Sequence, residues 1–385
     1  MNALETISVR RAALAVVILA VLVHGQAVGH AFTWNDGTNI VENPALADVG
    51  NIPAFFTEAW GAGAEDASYR QRNSQYWRPV PLMIWTLEAA AFGLNPAVFH
   101  GLNVLLHALT AFFLLLFAWR LWPAPGPARV GVVLGTLAWA VHPAHSEVVH
   151  VVSYGSDLLA GLFTVAALAT WLGAPDRDQA GGRRDRLVVV PLLFALGVGS
   201  KEMAVTLPVL LFALDMAVPS RPLTPLERLR RLAPVLGVLV GYMTLRAALL
   251  SGGGQDFYEG ATASTVLFSV LDVVGLYARL IVVPWPLNPF YDWSALPPQE
   301  SLFAIGPLVG LGVLLAWGAL GFYLWRRGDR LAFAVALPLI VWIPVSHVVP
   351  IIIAAADRFL YVAAAGPLLL AGIMAARART PRLWC

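Results

Sequence analysis

The sequence predicts an all-α polytopic integral membrane protein. Of its 385 residues, 58% are hydrophobic and only 12% are charged, whereas a soluble globular protein carries about 25% charged residues. Apolar runs close to the roughly 20 residues that a bilayer-spanning helix requires recur along the whole chain. The single cysteine, Cys385, excludes an internal disulfide framework. The formal charge of +2 does not indicate a nucleic-acid partner, because the basic residues are needed for orientation in the membrane.

Ten apolar segments are predicted to cross the membrane, with both termini inside. Arg10 and Arg11 precede the first segment, which resembles a secretory signal but lacks a clean cleavage site, so we expect an uncleaved helix. We expect one transmembrane domain over residues 1–385 and no soluble domain. The predicted spans are residues 12–31, 98–119, 130–148, 158–173, 187–200, 203–218, 232–250, 302–325, 331–348 and 359–376.

The basic residues support this topology, because short cytoplasmic loops are enriched in Lys and Arg. Eighteen of the 25 Lys and Arg residues fall on the predicted inner side. Acidic residues, and all eight histidines, favour the outer half. The working face is therefore predicted to be extracytoplasmic, and the outer cations become the candidates for chemistry. The seven outer cations are Arg70, Arg72, Arg78, Lys201, Arg246, Arg279 and Arg358.

The first outer loop, residues about 32–97, is much longer than the usual connection of about 4–6 residues. Asp36 follows directly on the first apolar run, in a turn-forming stretch with Asn35 and Gly37. A carboxylate at the membrane edge is costly unless it is used or paired. The stretch is therefore a candidate catalytic loop, and the alternative is a solvated loop that caps the first helix.

The same loop contains two short apolar pieces, residues 52–60 and 81–92, which we expect to lie along the membrane interface. Trp77 and Arg78 stand between them. Tryptophan is a natural interface anchor, and the Arg78 guanidinium is expected at the depth of lipid phosphates.

The second predicted span has His100, Asn103 and His107 on one helical face. Polar groups aligned on a helix in the membrane should face protein or a cavity. Hydrogen bonding that only holds the helices together is the alternative interpretation.

The densest polar cluster follows the third span. His142, His145 and Glu147 have a spacing that could hold a divalent metal, with Asp36 or Asp157 completing the ligand set. Neutral histidines bonded to loop carbonyls explain the same residues. Asp157 also fits the cap of the next helix.

Lys201 and Glu202 occupy a tight outer turn between two apolar runs. They could neutralise each other, or Lys201 could bind phosphate with Glu202 setting its position. Arg358 and Tyr361 stand at the head of the tenth span. An ion pair with a neighbouring acid is the alternative for Arg358.

The second long outer loop is predicted over residues about 251–301. Residues 264–283 are apolar enough to span, but a crossing there would place Arg326 and Arg327 outside, so we expect this piece in the outer leaflet. Tyr291 belongs to an aromatic stretch that fits either an interface belt or a substrate platform.

Seven short motifs occur in an order that resembles the membrane domain of the transmembrane and tetratricopeptide-repeat O-mannosyltransferases, within the GT-C glycosyltransferase superfamily. The resemblance covers nearly the whole chain, without the repeats themselves. The motifs are residues 32–36 (FTWND), 77–80 (WRPV), 99–107 (FHGLNVLLH), 141–147 (VHPAHSE), 200–202 (SKE), 286–288 (PLN) and 357–361 (DRFLY).

The resemblance implies a GT-C-like bundle of about ten transmembrane helices whose two long outer loops carry interfacial helices. It implies inverting transfer of a sugar, mannose, from a polyprenyl-phosphate carrier to a hydroxyl of a protein Ser/Thr or a glycan. It also implies that Asp36 is the catalytic base. Relatives commonly show two adjacent acids where this chain has Asn35 and Asp36.

The candidate site combines this resemblance with the outer charges. Glu147 and Asp157 are expected to act with Asp36, and Lys201, Arg358 and Arg78 to bind the donor phosphate. No cofactor is expected to be required, although His142, His145 and Glu147 remain a metal candidate. The predicted substrate cavity comprises Trp34, Asn35, His100, Asn103, His107, His142, His145, Glu202, Tyr291 and Tyr361.

Two other classes stay open. A transporter or flippase of lipid-linked sugars would show polar residues through the inner half and paired half-repeats, and the lone acid beside Asn35 also fits an inactive membrane scaffold. The expected partners are the lipid-linked donor, membrane lipids and the acceptor, with no nucleic acid. The expected location is a bacterial inner membrane with the site facing the periplasm, or the endoplasmic reticulum in a eukaryote.

Overall fold

The computed structural model describes residues 8–61, 75–123, 125–173, 185–218, 224–250, 256–349 and 351–378. Most of these residues are helical, and the described segments contain no strand, only an isolated antiparallel bridge between Tyr291 and Ala355. The predicted all-α class is confirmed. Arg70 and Arg72, two of the outer cations, lie outside the described residues.

The described residues contain fifteen α-helices, numbered here in chain order. They are α1 (Val9–His24), α2 (Ile52–Thr57), α3 (Pro79–Phe92), α4 (Pro96–Leu121), α5 (Pro127–Ala140), α6 (Ser146–His150), α7 (Gly155–Leu172), α8 (Val190–Val198), α9 (Leu207–Ala217), α10 (Pro225–Leu249), α11 (Ala263–Val282), α12 (Ile305–Arg326), α13 (Leu331–Trp342), α14 (Leu360–Ala363) and α15 (Ala365–Ala378).

Six helical segments in the described part of the chain are long and apolar enough to cross a membrane, or seven if the bent pair at the C-terminus counts as one span. Five of the six coincide with predicted spans, and the sixth is α11, which the sequence predicts to lie in the outer leaflet. Several other predicted spans correspond to helices of only 9 to 14 residues, such as α5, α8 and α9. The chain is a multi-pass membrane protein, and the number ten stays a prediction.

Local sequence explains where the long helices begin. Proline stands at the first turn of α3, α4, α5 and α10, where its missing N–H has no helical partner in any case. The Asn95 side chain caps α4, and Thr224 with Glu227 forms a capping box on α10.

Small residues let α5 and α15 cross with their backbones in contact. A Cβ added at Gly372 would lie 2.4 Å from the carbonyl oxygen of Gly131, and one at Gly135 would lie 2.7 Å from that of Leu368. Close packing of this kind stabilises helix pairs in lipid, where apolar burial alone gives little preference for protein over tails. This crossing holds the residue 357–361 segment beside the end of α5.

Helix α11 contacts the residue 343–358 segment near both of its ends. Tyr258, just before its start, packs 4.8 Å from the His347 ring, and Tyr277 donates a hydrogen bond to the Ala356 carbonyl at 3.2 Å. Its middle crosses the start of α12, where a Cβ at Gly310 would clash with the Leu271 carbonyl. These contacts fix α11 against the bundle, but its length and composition would allow a crossing. The outer-leaflet position of this helix stays a prediction.

The two long loops meet at one end of the bundle. The first loop reaches the start of α7 through Asp36 and the start of α9 through Arg78. The second loop reaches the residue 355–358 segment through Asn288 and Tyr291. Ion pairs between these segments form the candidate site.

Candidate functional site

Asp36 is fully buried and its carboxylate is occupied by backbone amides. One oxygen accepts the N–H of Ser153 at 2.7 Å, and the other accepts those of Val152 at 3.2 Å and Thr33 at 3.1 Å. The contacts fasten the first loop to the start of α7. In this arrangement Asp36 orders the loop, and an acceptor hydroxyl would have to compete with three N–H donors for its oxygens.

Lys201 pairs with Asp157 and not with its chain neighbour Glu202. The Lys201 Nζ lies 2.7 Å from both carboxylate oxygens of Asp157, and both residues are buried. Asp157 is in the first turn of α7, yet its side chain makes no capping bond there. Lys201 instead crosses from the turn between α8 and α9 to this helix.

Glu202 pairs with Arg78 in a two-point contact. The Arg78 Nε and Nη2 donate to the two Glu202 oxygens at 2.9 and 2.8 Å, and the guanidinium lies 4.5 Å from the Tyr76 ring centroid. Burial opposes ionisation of Glu202, but the Arg78 guanidinium outweighs burial and lowers the pKa of Glu202 to about 2. Two parallel charge-assisted bonds of this kind fix orientation as well as charge.

Arg358 pairs with Glu147 through both its main chain and its side chain. The Arg358 backbone N–H donates to one Glu147 oxygen at 2.6 Å and the guanidinium contacts the other. The guanidinium also donates to the Pro289 carbonyl and lies 4.4 Å from the Tyr154 ring. Burial raises the pKa of Glu147 to about 7, while the Arg358 charge opposes the rise.

Two of the three predicted phosphate-binding cations line one small cavity. Its wall includes Lys201, Arg358, Asp157 and Tyr361. Arg78 does not line it but acts on Lys201 electrostatically from the neighbouring pair. The three cations and three acids therefore form one cluster of ion pairs in which each cation already has a partner.

The polar face of α4 is used for interhelical hydrogen bonds. The Asn103 amide donates to the Val151 carbonyl at 3.2 Å, and His100 bonds the Ala31 carbonyl at 3.3 Å. His107 bonds the Ala140 carbonyl at 2.9 Å and the Tyr361 hydroxyl at 3.1 Å. Of this face, only His107 reaches a residue of the cavity wall.

The proposed metal ligands do not converge in the described structure. His142 Nε2 bonds the Ile281 carbonyl at 3.1 Å, and Glu147 is held by Arg358. His145 is fully buried, with its ring 5.6 Å from that of His142. Among the described residues no group of three or more His, Cys, Asp or Glu side chains is arranged to hold a metal.

Seven histidine rings form a continuous row through the bundle, a feature that the sequence did not predict. The His24 and His150 ring nitrogens lie 3.3 Å apart, and successive ring centroids along the row are 4.7 to 6.0 Å apart. The sequence feature that could have indicated this row is the presence of two polar residues, His24 and His30, at the end of an apolar span. In order, the row is His100, His30, His150, His24, His107, His145 and His142.

The remaining predicted cavity residues lie on two sides of the cluster. The Asn35 amide approaches the Tyr154 hydroxyl at 3.4 Å, and Trp34 is 57% exposed with a φ of 54°. The Tyr291 hydroxyl donates to Asp357 at 2.9 Å, and the same carboxylate accepts the Asn288 N–H at 2.7 Å. Tyr291 therefore holds the second loop against the Arg358 segment.

Comparison with known proteins finds relatives of one kind. The chain is 23% identical over 305 residues to protein O-mannosyl-transferase Tmtc1 of Drosophila melanogaster, covering 77% of this chain and 32% of that protein. It is 28% identical over 165 residues to human protein O-mannosyl-transferase TMTC1, covering 42% of the chain and 18% of that protein. Mouse protein O-mannosyl-transferase TMTC3 is 23% identical over 367 residues, covering 87% and 39%.

These relatives confirm the resemblance that the seven motifs predicted. The chain spans well under half the length of the relatives it matches. No protein-family model matches the chain, and no solved structure matches it.

Proposed function

We propose, from the similarity to protein O-mannosyl-transferases, that this chain is a membrane-embedded glycosyltransferase. It moves a sugar, mannose, from a polyprenyl-phosphate carrier to a hydroxyl acceptor on the extracytoplasmic face, with inversion at the anomeric carbon. The observation that carries the proposal is that these relatives align over 77% and 87% of the chain. The ion-pair cluster where the two long loops meet supports it.

The reaction needs two kinds of group from the protein, a general base and cations. A base takes the proton of the acceptor hydroxyl while its oxygen bonds to the anomeric carbon. The bond from that carbon to the phosphate oxygen breaks, and polyprenyl phosphate leaves with the electron pair. Cations must then stabilise the charge that develops on the leaving phosphate.

Lys201 and Arg358 are the proposed phosphate ligands, because both line the same cavity. Each is already paired in the described structure, with Asp157 and Glu147. Binding of a phosphate therefore requires the cations to share their donors between carboxylate and phosphate, or to exchange one partner for the other. Arg78, paired with Glu202 in a two-point contact, lies at the edge of the cluster and is the third proposed phosphate ligand.

Asp36 as the base stays a prediction, and the contacts supply an argument for a second carboxylate. Asp36 already accepts three backbone N–H bonds, which leaves little free lone-pair capacity. Burial raises the pKa of Glu147, and this carboxyl touches Arg358, which lines the cavity. Since a general base works best with a pKa near the operating pH, Glu147 is the competing candidate.

The deciding experiment incubates membranes that contain the chain with radiolabelled polyprenyl-phosphate mannose and follows the label. We expect label in a protein or glycan fraction, and none with membranes that lack the chain. Polyprenyl-phosphate glucose and galactose serve as the sugar controls. Label that crosses sealed vesicles while it remains on the lipid would identify a flippase instead, and label that moves nowhere from any donor would leave a scaffold.

A chelator arm in the same assay tests metal dependence. Unchanged transfer in excess chelator would exclude an exchangeable metal at His142, His145 and Glu147. Loss that added divalent metal restores would place a metal in the reaction.

A further inference from the structure

Three buried atoms near the C-terminal end of α10 can each donate a hydrogen bond but make none of normal geometry among the described residues. They are the Trp77 Nε1, the Tyr242 hydroxyl and the Arg246 Nη1, and each of these atoms is buried. A buried donor without an acceptor is costly, and such groups in native proteins usually have a partner. Three together indicate a ligand that carries acceptor oxygens.

The three donors come from two segments that pack together. The Trp77 and Tyr242 rings lie 5.9 Å apart, and the two residues are only 8% and 6% exposed. Tyr242 and Arg246 are four residues apart on α10 and therefore share one face. The Arg246 guanidinium interacts with the Tyr242 hydroxyl and approaches the Gln75 carbonyl at 3.5 Å.

The charge at this place favours an anion. Arg78 and Glu202 also interact electrostatically with Tyr242, but their charges neutralise each other in their two-point contact. In the part of the chain that the structure describes, Arg246 forms no ion pair with a carboxylate. Counted over the described residues, the set of donors carries a net positive charge, which suits a phosphate better than a neutral sugar.

The place is open to lipid from the side. Helix α10 is 25 residues long, and only 17% of its most apolar window is buried. Val240 and Met243, next to Tyr242, are 65% and 50% exposed. Apolar side chains exposed on a spanning helix face the acyl chains, so a lipid whose head group reaches Arg246 can lay its chain along Val240 and Met243.

We propose that Trp77, Tyr242 and Arg246 bind the phosphate group of a membrane lipid at the lipid-facing edge of the bundle. This site is distinct from the cavity of Lys201 and Arg358, which none of these three residues lines. The identification of the lipid as the polyprenyl-phosphate donor rests on the proposed function. In that case the site receives the donor from the bilayer before its phosphate reaches the cavity.

The test measures lipid binding to the purified full chain in detergent, with tritiated polyprenyl phosphate, phosphatidic acid and inorganic phosphate as separate probes. The variants are Arg246→Gln, Tyr242→Phe and Trp77→Phe. Arg230→Gln is the matched control, because it removes the same charge from an exposed position near the other end of α10. Thermal melting checks that each variant is folded.

We expect Arg246→Gln and Tyr242→Phe to weaken binding of a phosphate-bearing lipid by about tenfold or more, as loss of a charge-assisted hydrogen bond predicts, and Arg230→Gln to leave it unchanged. A stronger effect with polyprenyl phosphate than with phosphatidic acid assigns the site to the carrier, and an equal effect assigns it to bulk phospholipid. The proposal is overturned if all three folded variants bind lipid as well as the wild type does. It is also overturned if inorganic phosphate binds at the site and the two phosphate-bearing lipids do not.

The assay contains no sugar and no acceptor, so it separates this site from the proposed reaction. Retained lipid binding without any transfer activity would refute the glycosyltransferase proposal and leave the lipid site standing. Retained transfer together with unchanged lipid binding in the variants would support the glycosyltransferase proposal and refute the lipid site.

Discussion

The Nζ of Lys201 lies 2.7 Å from both carboxylate oxygens of Asp157, and each residue is more than nine-tenths buried. The partners stand 44 residues apart in the chain and join α7 to the turn before α9. Because this pair lies in the wall of the cavity proposed for the donor phosphate, its structural role and its binding role can be separated by mutation.

Replacing one member of this pair leaves the other as an uncompensated buried charge. We expect Lys201→Met to lower the free energy of unfolding by about 3–5 kcal/mol, and the double variant Lys201→Met/Asp157→Leu to recover most of that loss. Thermal melting measures the recovery. Donor binding should be lost in both variants if Lys201 holds the phosphate, and restored binding in the double variant would show that the lysine has only a structural role.

Asp36 is expected to matter for the loop and, as the predicted base, for the reaction. Asp36→Asn turns an amide NH₂ toward backbone N–H donors, so we expect loop 33–43 to loosen and the melting temperature to fall. If Asp36 is the base, transfer falls by at least about a hundredfold with donor binding largely kept. Limited proteolysis of the loop, measured beside transfer, separates the two effects. If the variant has a cleavable loop but near-normal transfer, Asp36 only holds the loop in place and is not the base.

If Glu147 is the base, the transfer rate should depend on pH in a specific way. A base must be deprotonated to act, and burial raises the pKa of Glu147 to about 7, so the transfer rate should rise as the pH rises through about 7 and level off above it. Glu147→Gln should abolish that limb and lower the rate about a hundredfold or more. A rate that is flat between pH 6 and 8 in the wild type would argue against Glu147.

The pair between Arg78 and Glu202 should make stability depend on acid pH. The guanidinium lowers the pKa of Glu202 to about 2 from the usual 4.5. The pair's stabilisation is therefore complete above about pH 4.5 and is lost as the pH falls from there toward 2, on the order of 2 kcal/mol after allowance for partial exposure. Glu202→Gln should be less stable than wild type at pH 7 and show a smaller loss between pH 5 and 3. Parallel pH profiles for the two proteins would contradict this.

Both long loops are expected to face the same side of the membrane. Position Ala64, an obvious labelling site in the first loop, lies outside the described residues, so exposed Glu42 replaces it, with exposed Ala261 in the second loop. Cysteine at either position should react with an impermeant thiol reagent in intact cells, while the wild type, whose sole cysteine is Cys385, should not. Reaction at one position only would overturn the predicted topology.

The sequence by itself determined the class of protein. Apolar runs dictate helices in a membrane, because a backbone in hydrocarbon must satisfy its own hydrogen bonds. The seven motifs identified the relatives that comparison then confirmed. The three cations that the sequence predicts as phosphate ligands, Arg78, Lys201 and Arg358, all lie in the ion-pair cluster, and their binding role stays a prediction.

Only the tertiary structure decided which cation pairs with which carboxylate. Lys201 and Glu202 are adjacent, but Lys201 has an extended backbone, with φ −158° and ψ 144°, and consecutive side chains of an extended segment point to opposite sides. Lys201 therefore reaches Asp157 and Glu202 reaches Arg78. Likewise the N–H donors of Val152 and Ser153 that hold Asp36 lie 116 and 117 residues away in the chain. Local spacing cannot encode such contacts, because they exist only where distant helix ends meet.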